Sequence, residues 1–189
     1  MKNLKIILCV NSLVLLLLLT YCKEKAVEPK DEGGVGIIVP GKSIEGVNLG
    51  DSWEVVEQKI GNPTMGGIAD GNYRSWIAAN YMEGPHAGLS IYYINNSYDS
   101  RGPVDLITAS APYSGKTKEG IEIGSSLNNV RKAYGNPKNT LLFPDRGSIF
   151  DYYCFYGKML LIHYKDSTAT GISIGYFIPM EQDTLSSCD

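Results

Sequence analysis

Apolar positions along the 189 residues fall into three regimes. From Ile6 to Leu19 they run almost without a break, interrupted only by Asn11 and Ser12. From Lys23 to Gly36 they nearly vanish, because KEKAVEPKDEGGVG alternates charges and adds Pro29 and glycines, leaving too little apolar surface to pack. Beyond Gly36 they return in short runs whose period switches between that of a helix and that of a strand.

The switching is itself repeated. Glu45 to Pro63 (EGVNLGDSWEVVEQKIGNP) aligns without gaps to Glu119 to Pro137 (EGIEIGSSLNNVRKAYGNP), with 8 of 19 positions identical at an offset of 74. In each copy apolar residues recur at i, i+3 and i+7, as Trp53, Val56 and Ile60 and as Leu127, Val130 and Tyr134, which is one face of a short helix. Ser52 and Ser126 stand where a side chain caps first-turn amides. Gly61 and Gly135 can take the left-handed conformation that ends a helix, and Pro63 and Pro137 block its resumption.

Branched and aromatic residues then predict strands. After the first helix these are residues 73–82, 89–95 and 104–110; after the second, residues 149–156, 159–165 and 171–178. Gly157-Lys158 suits a two-residue type II′ hairpin turn. The expected fold class is α+β: two tandem repeats, each a helix plus an antiparallel three-stranded meander, with a short extra strand or turn near Val47 to Leu49. A helix can cover one face of such a sheet and leave the other open. The expected divisions are residues 1–21 as a leader, 22–42 as a flexible tether, 43–115 as the first repeat and 116–189 as the second.

Lys2 and Lys5 ahead of the Leu-rich run give the leader the form of an export signal, too short for a span of about 20 residues. Leu19-Thr20-Tyr21-Cys22 resembles the bacterial lipobox, with Tyr21 in place of the usual small residue. That resemblance implies diacylation of Cys22, including a palmitate-like chain, and a lipoprotein of the bacterial envelope, at the outer rather than the inner membrane. Two acyl chains, at about 0.8 kcal/mol per buried methylene, hold a protein on a membrane persistently.

The pattern Gly-[Val/Ile]-x-[Leu/Ile]-Gly-x-Ser-x3-Val-x3-[Ile/Tyr]-Gly-Asn-Pro resembles the helix signature of the SmpA/BamE outer-membrane assembly lipoproteins. The tandem arrangement resembles the β-lactamase inhibitor protein (BLIP) fold, in which two α/β repeats lie side by side in two layers. The resemblance covers residues 43 to 180 and implies a fold more firmly than a role. It implies a non-catalytic protein that binds another protein in an assembly or scaffold role, or alternatively an inhibitor of an exported enzyme.

Charge and candidate chemistry narrow this picture. Lys and Arg number 17 against 20 Asp and Glu, a formal charge of −3 without a basic cluster, which argues against a nucleic-acid partner. With Cys22 acylated, Cys154 and Cys188 remain as a candidate disulfide, the alternative being two separate thiols. No His-rich or Cys-x-x-Cys spacing supports a metal, no cofactor motif is present, and no G-x-S-x-G or H-E-x-x-H string supports an enzyme. Gly115-Lys116-Thr117 resembles the end of a phosphate loop, but Ser110 stands where the first glycine is needed, so this segment reads as a linker.

The 13 tyrosines are the more informative feature. Adjacent pairs such as Tyr92-Tyr93 and Tyr152-Tyr153 in strands put one ring on each sheet face. Tyrosine combines a large apolar area with a polar tip, which suits protein recognition. The candidate protein-binding residues are therefore Trp76, Tyr81 and Tyr92 in the first half and Tyr152, Tyr156 and His163 in the second, with packing at sheet edges as the alternative reading. His163 alternates with Leu161 and Lys165 and is read as a satisfied structural histidine.

Overall fold

The computed structural model describes residues 36–70, 75–97, 100–176 and 188. The elements, in chain order, are β1 (Ile37–Val39), β2 (Ser43–Ile44), β3 (Val47–Asn48), α1 (Trp53–Ile60), β4 (Met65–Asp70), β5 (Ser75–Tyr81), β6 (Leu89–Ser97), β7 (Ser100–Ser110), β8 (Lys116–Thr117), α2 (Leu127–Tyr134), β9 (Asn139–Phe143), β10 (Ser148–Phe155), β11 (Lys158–Lys165) and β12 (Thr168–Gly175). The protein is thus a sheet-rich α+β fold with two helices among the described residues.

Eight strands form one antiparallel sheet in the order β4-β5-β6-β7-β12-β11-β10-β9. The short strands form a second sheet, β3-β2-β1-β8, in which β1 and β8 run parallel. Each helix is followed by four strands of the large sheet. The last strands of the two series, β7 and β12, pair at its centre from Leu106↔Gly175 to Ser110↔Gly171.

Several sequence expectations are corrected by this topology. Three strands per half become four, because β4 and β9 form the two edges. The glycine pair of β4 (MGGIAD) erases its alternation, and β9 is five residues between Pro137 and Pro144, too short for a periodic signal. β1 lies inside the segment read as tether: Ile38 is 1% exposed and pairs with both Ile44 and Thr117, so folded structure is already in place by Ile37. The leader and Cys22 lie outside the described residues.

Both helices stop where the sequence places their ends, but the caps differ. Ser126 accepts a hydrogen bond from the Asn129 amide at 3.2 Å, whereas the Ser52 hydroxyl donates instead to Glu54 Oε2 at 2.7 Å and caps no amide. Gly61 (φ 77°, ψ −172°) and Gly135 (φ 79°, ψ −159°) are not in the left-handed helical region. They occupy the positive-φ extended region open almost only to glycine, which turns the chain straight into the next strand. The β10–β11 hairpin turns on Tyr156-Gly157 rather than Gly157-Lys158. Both residues have positive φ (52° and 71°), the signature of a type I′ rather than a II′ turn, and Phe155 pairs with Lys158.

One face of the large sheet, here called inner, packs against the helices and the small sheet. Val56 and Val130 from the helices, Ile38, Ile44 and Val47 from the small sheet, and Ile91, Ile107, Leu160, Ile162, Ile172 and Ile174 from the large sheet are fully or almost fully buried in this one core. Burying branched side chains of this kind contributes about 1.5–3 kcal/mol each relative to exposure. An ion pair buried at its Asp151 end and partly exposed at its Arg131 end lies under α2. The Arg131 guanidinium donates to Asp151 through Nε and a terminal nitrogen, both at 2.8 Å, and Thr140 Oγ1 donates to the same carboxylate at 2.7 Å. Burial favours a protonated Asp151, but hydrogen bonds from Arg131 and Thr140 outweigh it and hold the carboxyl below its ordinary value.

Candidate functional site: the outer face of the sheet

Strand alternation sends every second residue to the face opposite the helices. The registers align these residues into rows. One row runs Ala78, Tyr92, Leu106, Gly175, Met159, Cys154. The next runs Asn80, Ser90, Thr108, Ser173, Leu161, Tyr152, Asn139. A third runs Ser110, Gly171, His163, Phe150, Leu141.

Across these rows the chemistry changes from one side of the sheet to the other. Over β5, β6, β7 and β12 the middle row is a line of small polar groups. Ser90 Oγ donates to Asn80 Oδ1 at 2.7 Å, and the Thr108 and Ser173 hydroxyls share a hydrogen bond at 3.0 Å. Over β9, β10 and β11 the rows are apolar and aromatic: Tyr152, Met159 and Leu161 cluster with Leu106, Phe150, Cys154 and Cys188. Phe143 meets Phe150 edge to face at 5.5 Å, and Phe150 stacks on His163 with centroids 4.3 Å apart.

The C-terminal cysteine closes part of this apolar half. Cys188 forms a disulfide with Cys154, Cα to Cα 5.4 Å, and the Tyr152 hydroxyl lies 3.0 Å from Cys188 Sγ. Tyr152, Met159 and Leu161 are only 3%, 2% and 8% exposed although they face away from the helices. Burial raises the Tyr152 phenol above its ordinary pKa.

The six candidate binding residues separate accordingly. Tyr92, Tyr152 and His163 share the outer face, but Tyr152 is a correction as a binding residue, since it is 3% exposed and packed against Cys188. Tyr156 is 47% exposed in the β10–β11 turn. Tyr81 is a correction: it lies on the inner face, 4% exposed, and donates its hydroxyl to the Gly61 carbonyl at 3.0 Å, where it holds the end of α1. Burial, reinforced by Glu57, pushes its pKa up to about 12. Trp76 belongs to β5, and its side chain lies outside the described residues.

His163, read from the sequence as a satisfied structural histidine, is half-buried and satisfied at one ring nitrogen only. Its Nδ1 is 3.0 Å from Thr170 Oγ1, while Nε2 is buried with no hydrogen-bond partner among the described residues, and burial depresses its pKa. His86 sits elsewhere, with Nδ1 3.6 Å from the buried Glu45 carboxylate and its ring 6.3 Å from that of Tyr81. The two histidines thus have separate partners. Among the described residues no group of three or more His, Cys, Asp or Glu side chains is placed to hold a metal ion. A shallow cavity of about 380 Å³ beside α2, lined by Glu119, Ser125, Asn129 and Lys132 among others, is a further concavity on the helix side.

Sequence reasoning missed the polar line Asn80, Ser90, Thr108 and Ser173. Each member alternates correctly within its own strand. The line exists only because β7 pairs with β12, a contact between residues 65 positions apart.

A helix-bearing α+β scaffold whose large sheet keeps one face away from its helices is the class that this geometry defines. No known family model matches the chain, and no curated protein does. Among solved structures it is similar to a DUF4309 family protein from Bacillus subtilis, at 15% identity over 71% of this chain and 87% of that one, TM-score 0.49. It is also similar to an extracellular protein containing a SCP domain from Bacillus anthracis, at 10% identity over 79% of this chain and 49% of the other, TM-score 0.49. A candidate beta-lactamase inhibitor protein from Streptococcus mutans aligns at 13% identity over 65% of this chain and 81% of that one, TM-score 0.26. At these identities and scores the likenesses carry no argument about function.

Proposed function

We propose that this is a non-catalytic, lipid-anchored protein of the bacterial envelope that binds another protein through the outer face of its large sheet. In this reading the two halves are copies of one helix-plus-sheet unit, joined at β7 and β12 into a two-layer body. Cys22 carries the lipid, at the outer membrane, and the chain ahead of β1 is the tether. The observation that carries the binding role is the outer face itself, where an ordered polar line of Asn80, Ser90, Thr108 and Ser173 lies beside Tyr92 and Leu106. Such a surface offers hydrogen bonds to a partner next to an aromatic anchor, the composition of an interface centre and its rim.

The test is affinity capture of the tagged full chain from intact envelopes. Tyr92→Ala and Thr108→Arg on the outer face are compared with Lys132→Glu on the helix side, and Cys22→Ala serves as the untethered control. The expected result is a stoichiometric protein lost with the outer-face variants and with Cys22→Ala and kept with Lys132→Glu. Capture of an exported enzyme that survives the outer-face variants but is lost on deletion of residues 83–87 would replace this reading with that of an inhibitor acting through a loop.

A further inference from the structure

We propose that Glu45 and His86 hold a divalent transition-metal ion of the zinc class, in a site built from three connections of the first half. Glu45 stands in the turn between β2 and β3, His86 in the 3-10 turn Gly84–His86 between β5 and β6, and Tyr113 between β7 and β8. Glu45 Oε2, His86 Nδ1 and the Tyr113 hydroxyl are all buried without a hydrogen-bond partner among the described residues. Buried polar atoms in folded proteins are paired with few exceptions, so a group of orphans points to a bound water or ion. The charge balance selects a cation. The Glu45 side chain is 2% exposed, and the one charged group paired with it among the described residues is His86, which carries charge only when protonated. A carboxylate is costly to bury unless a cation accompanies it, and an unprotonated imidazole nitrogen is a metal ligand.

The separation selects a metal. Oε2 and Nδ1 lie 3.6 Å apart, too far for a hydrogen bond between them. Zinc bonds of about 2.0–2.1 Å to nitrogen and about 2.0–2.2 Å to oxygen, opened by about 110–120°, put two donor atoms about 3.4–3.6 Å apart. One imidazole nitrogen and one carboxylate oxygen suit zinc and its neighbours better than Mg2+ or Ca2+, which take oxygen ligands. The surroundings already orient both ligands, as outer partners do in metal sites. The Gly36 amide donates to Oε1 at 2.8 Å and leaves Oε2 to face His86, while the Tyr81 ring meets the imidazole edge-on at 6.3 Å. Burial first, then the Glu45 charge, raises the Tyr113 pKa, so its hydroxyl stays neutral and is placed to hydrogen-bond the carboxylate or a water on the ion. Glu45 also has φ 57°, a left-handed conformation costing a residue with a Cβ about 1 kcal/mol or more. Its counterpart at the offset of 74, Glu119, is exposed and accepts from the Tyr134 hydroxyl at 3.3 Å instead, so the site belongs to the first half alone.

The experiment titrates zinc chloride by isothermal calorimetry into the full chain in detergent, stripped with EDTA and freed of the chelator, with magnesium chloride as the comparison. The expected result is one Zn2+ per chain and no Mg2+ at the same concentrations. Glu45→Gln, which keeps an acceptor for the Gly36 amide, and His86→Gln are each expected to weaken Zn2+ binding at least about tenfold, with circular dichroism confirming that they fold. Glu119→Gln and His163→Gln remove a carboxylate and an imidazole elsewhere and should bind as the wild type does. If Glu45→Gln does not fold, His86→Gln in its surface turn carries the test, with His163→Gln as its control. Absence of stoichiometric Zn2+ binding overturns the proposal and leaves Glu45 and His86 as an ion pair. So does Zn2+ binding that survives both substitutions, or that Mg2+ matches.

Discussion

Removing Arg131 is the sharpest test of how this core is held together. Asp151 is 0% exposed, and its carboxylate is satisfied by three described side-chain hydrogen bonds, two from Arg131 and one from Thr140. In Arg131→Met the aliphatic packing is largely kept, but a carboxylate is stranded beneath α2. Breaking a fully buried pair in this way costs about 3–5 kcal/mol. The Arg131 side chain is 37% exposed, so solvent already screens one side of the pair and the lower end, about 3 kcal/mol, is expected. For a folded body of this size each kcal/mol moves Tm by about 2–4 °C, so the expected drop is roughly 6–12 °C. Circular-dichroism melts at neutral pH read this directly, and the second variant Arg131→Met/Asp151→Asn isolates the cause. Asn keeps an acceptor for Thr140 but carries no charge, so the double variant should recover part of the loss. Because the folded-state pKa of Asp151 lies below 3.8, its ionic contribution is complete above that value and is lost as pH falls through the lowered one. The gap between wild type and Arg131→Met should therefore narrow in acid. The reasoning is refuted if Arg131→Met melts within a degree of wild type, or if the double variant is no more stable than the single one.

Three further outcomes follow from the geometry. Cys188→Ser, or reductant on the wild type, removes a cross-link between positions 34 apart and should cost about 3–4 kcal/mol on the chain-entropy model; a Tm indifferent to dithiothreitol would show that the bond contributes nothing to the fold. Burial depresses the His163 pKa below 6.5, so its neutral form contributes stability that is complete above 6.5 and lost as pH falls through the lowered value. Urea titrations of His163→Gln should accordingly show a flatter dependence on pH in that range, and parallel curves would count against a buried neutral imidazole. Gly88 has φ 90°, and a Cβ there would lie 2.2 Å from the Ser110 carbonyl oxygen and 2.7 Å from the Tyr113 amide nitrogen, so Gly88→Ala should destabilise by at least about 2 kcal/mol, while unchanged stability would place the turn elsewhere.

The helices were legible because their signals are local. Apolar spacing, glycine and proline all lie within 19 consecutive residues, and the same string occurs twice. The sheet was less so, since its registers join residues that no local pattern relates. Tyr81 and Tyr92 look equivalent as aromatic strand residues, yet Tyr81 shares its face with the buried Ala79 and Tyr92 shares its own with Ser90. In a strand such as SWIAANY both alternating sets are largely apolar, so parity cannot be assigned without knowing where the helix lies. For Tyr152-Tyr153 the opposite-face placement was readable, but not that both rings would be buried, at 3% and 4% exposure. The outer one is closed over in part by Cys188, which arrives from 36 residues further along.

Self-similarity, the strongest signal in the chain, has a blind spot of its own. At the offset of 74, Arg131 and Asp151 correspond to Glu57 and Ile77, so the ion pair under α2 has no counterpart in the first half and cannot be found by aligning the halves. The outer face diverges in the same way. Ala78, Asn80 and Ser90 occupy it on the β4 side, where Phe150, Tyr152 and Leu161 occupy it on the β9 side. What the two halves share is what makes a helix end and a strand begin. What distinguishes them lies partly inside, as Asp151, Tyr152 and Leu161 do, so under the proposed binding role only the outer-face differences that stay accessible, such as Asn80 and Ser90, are the ones to mutate first.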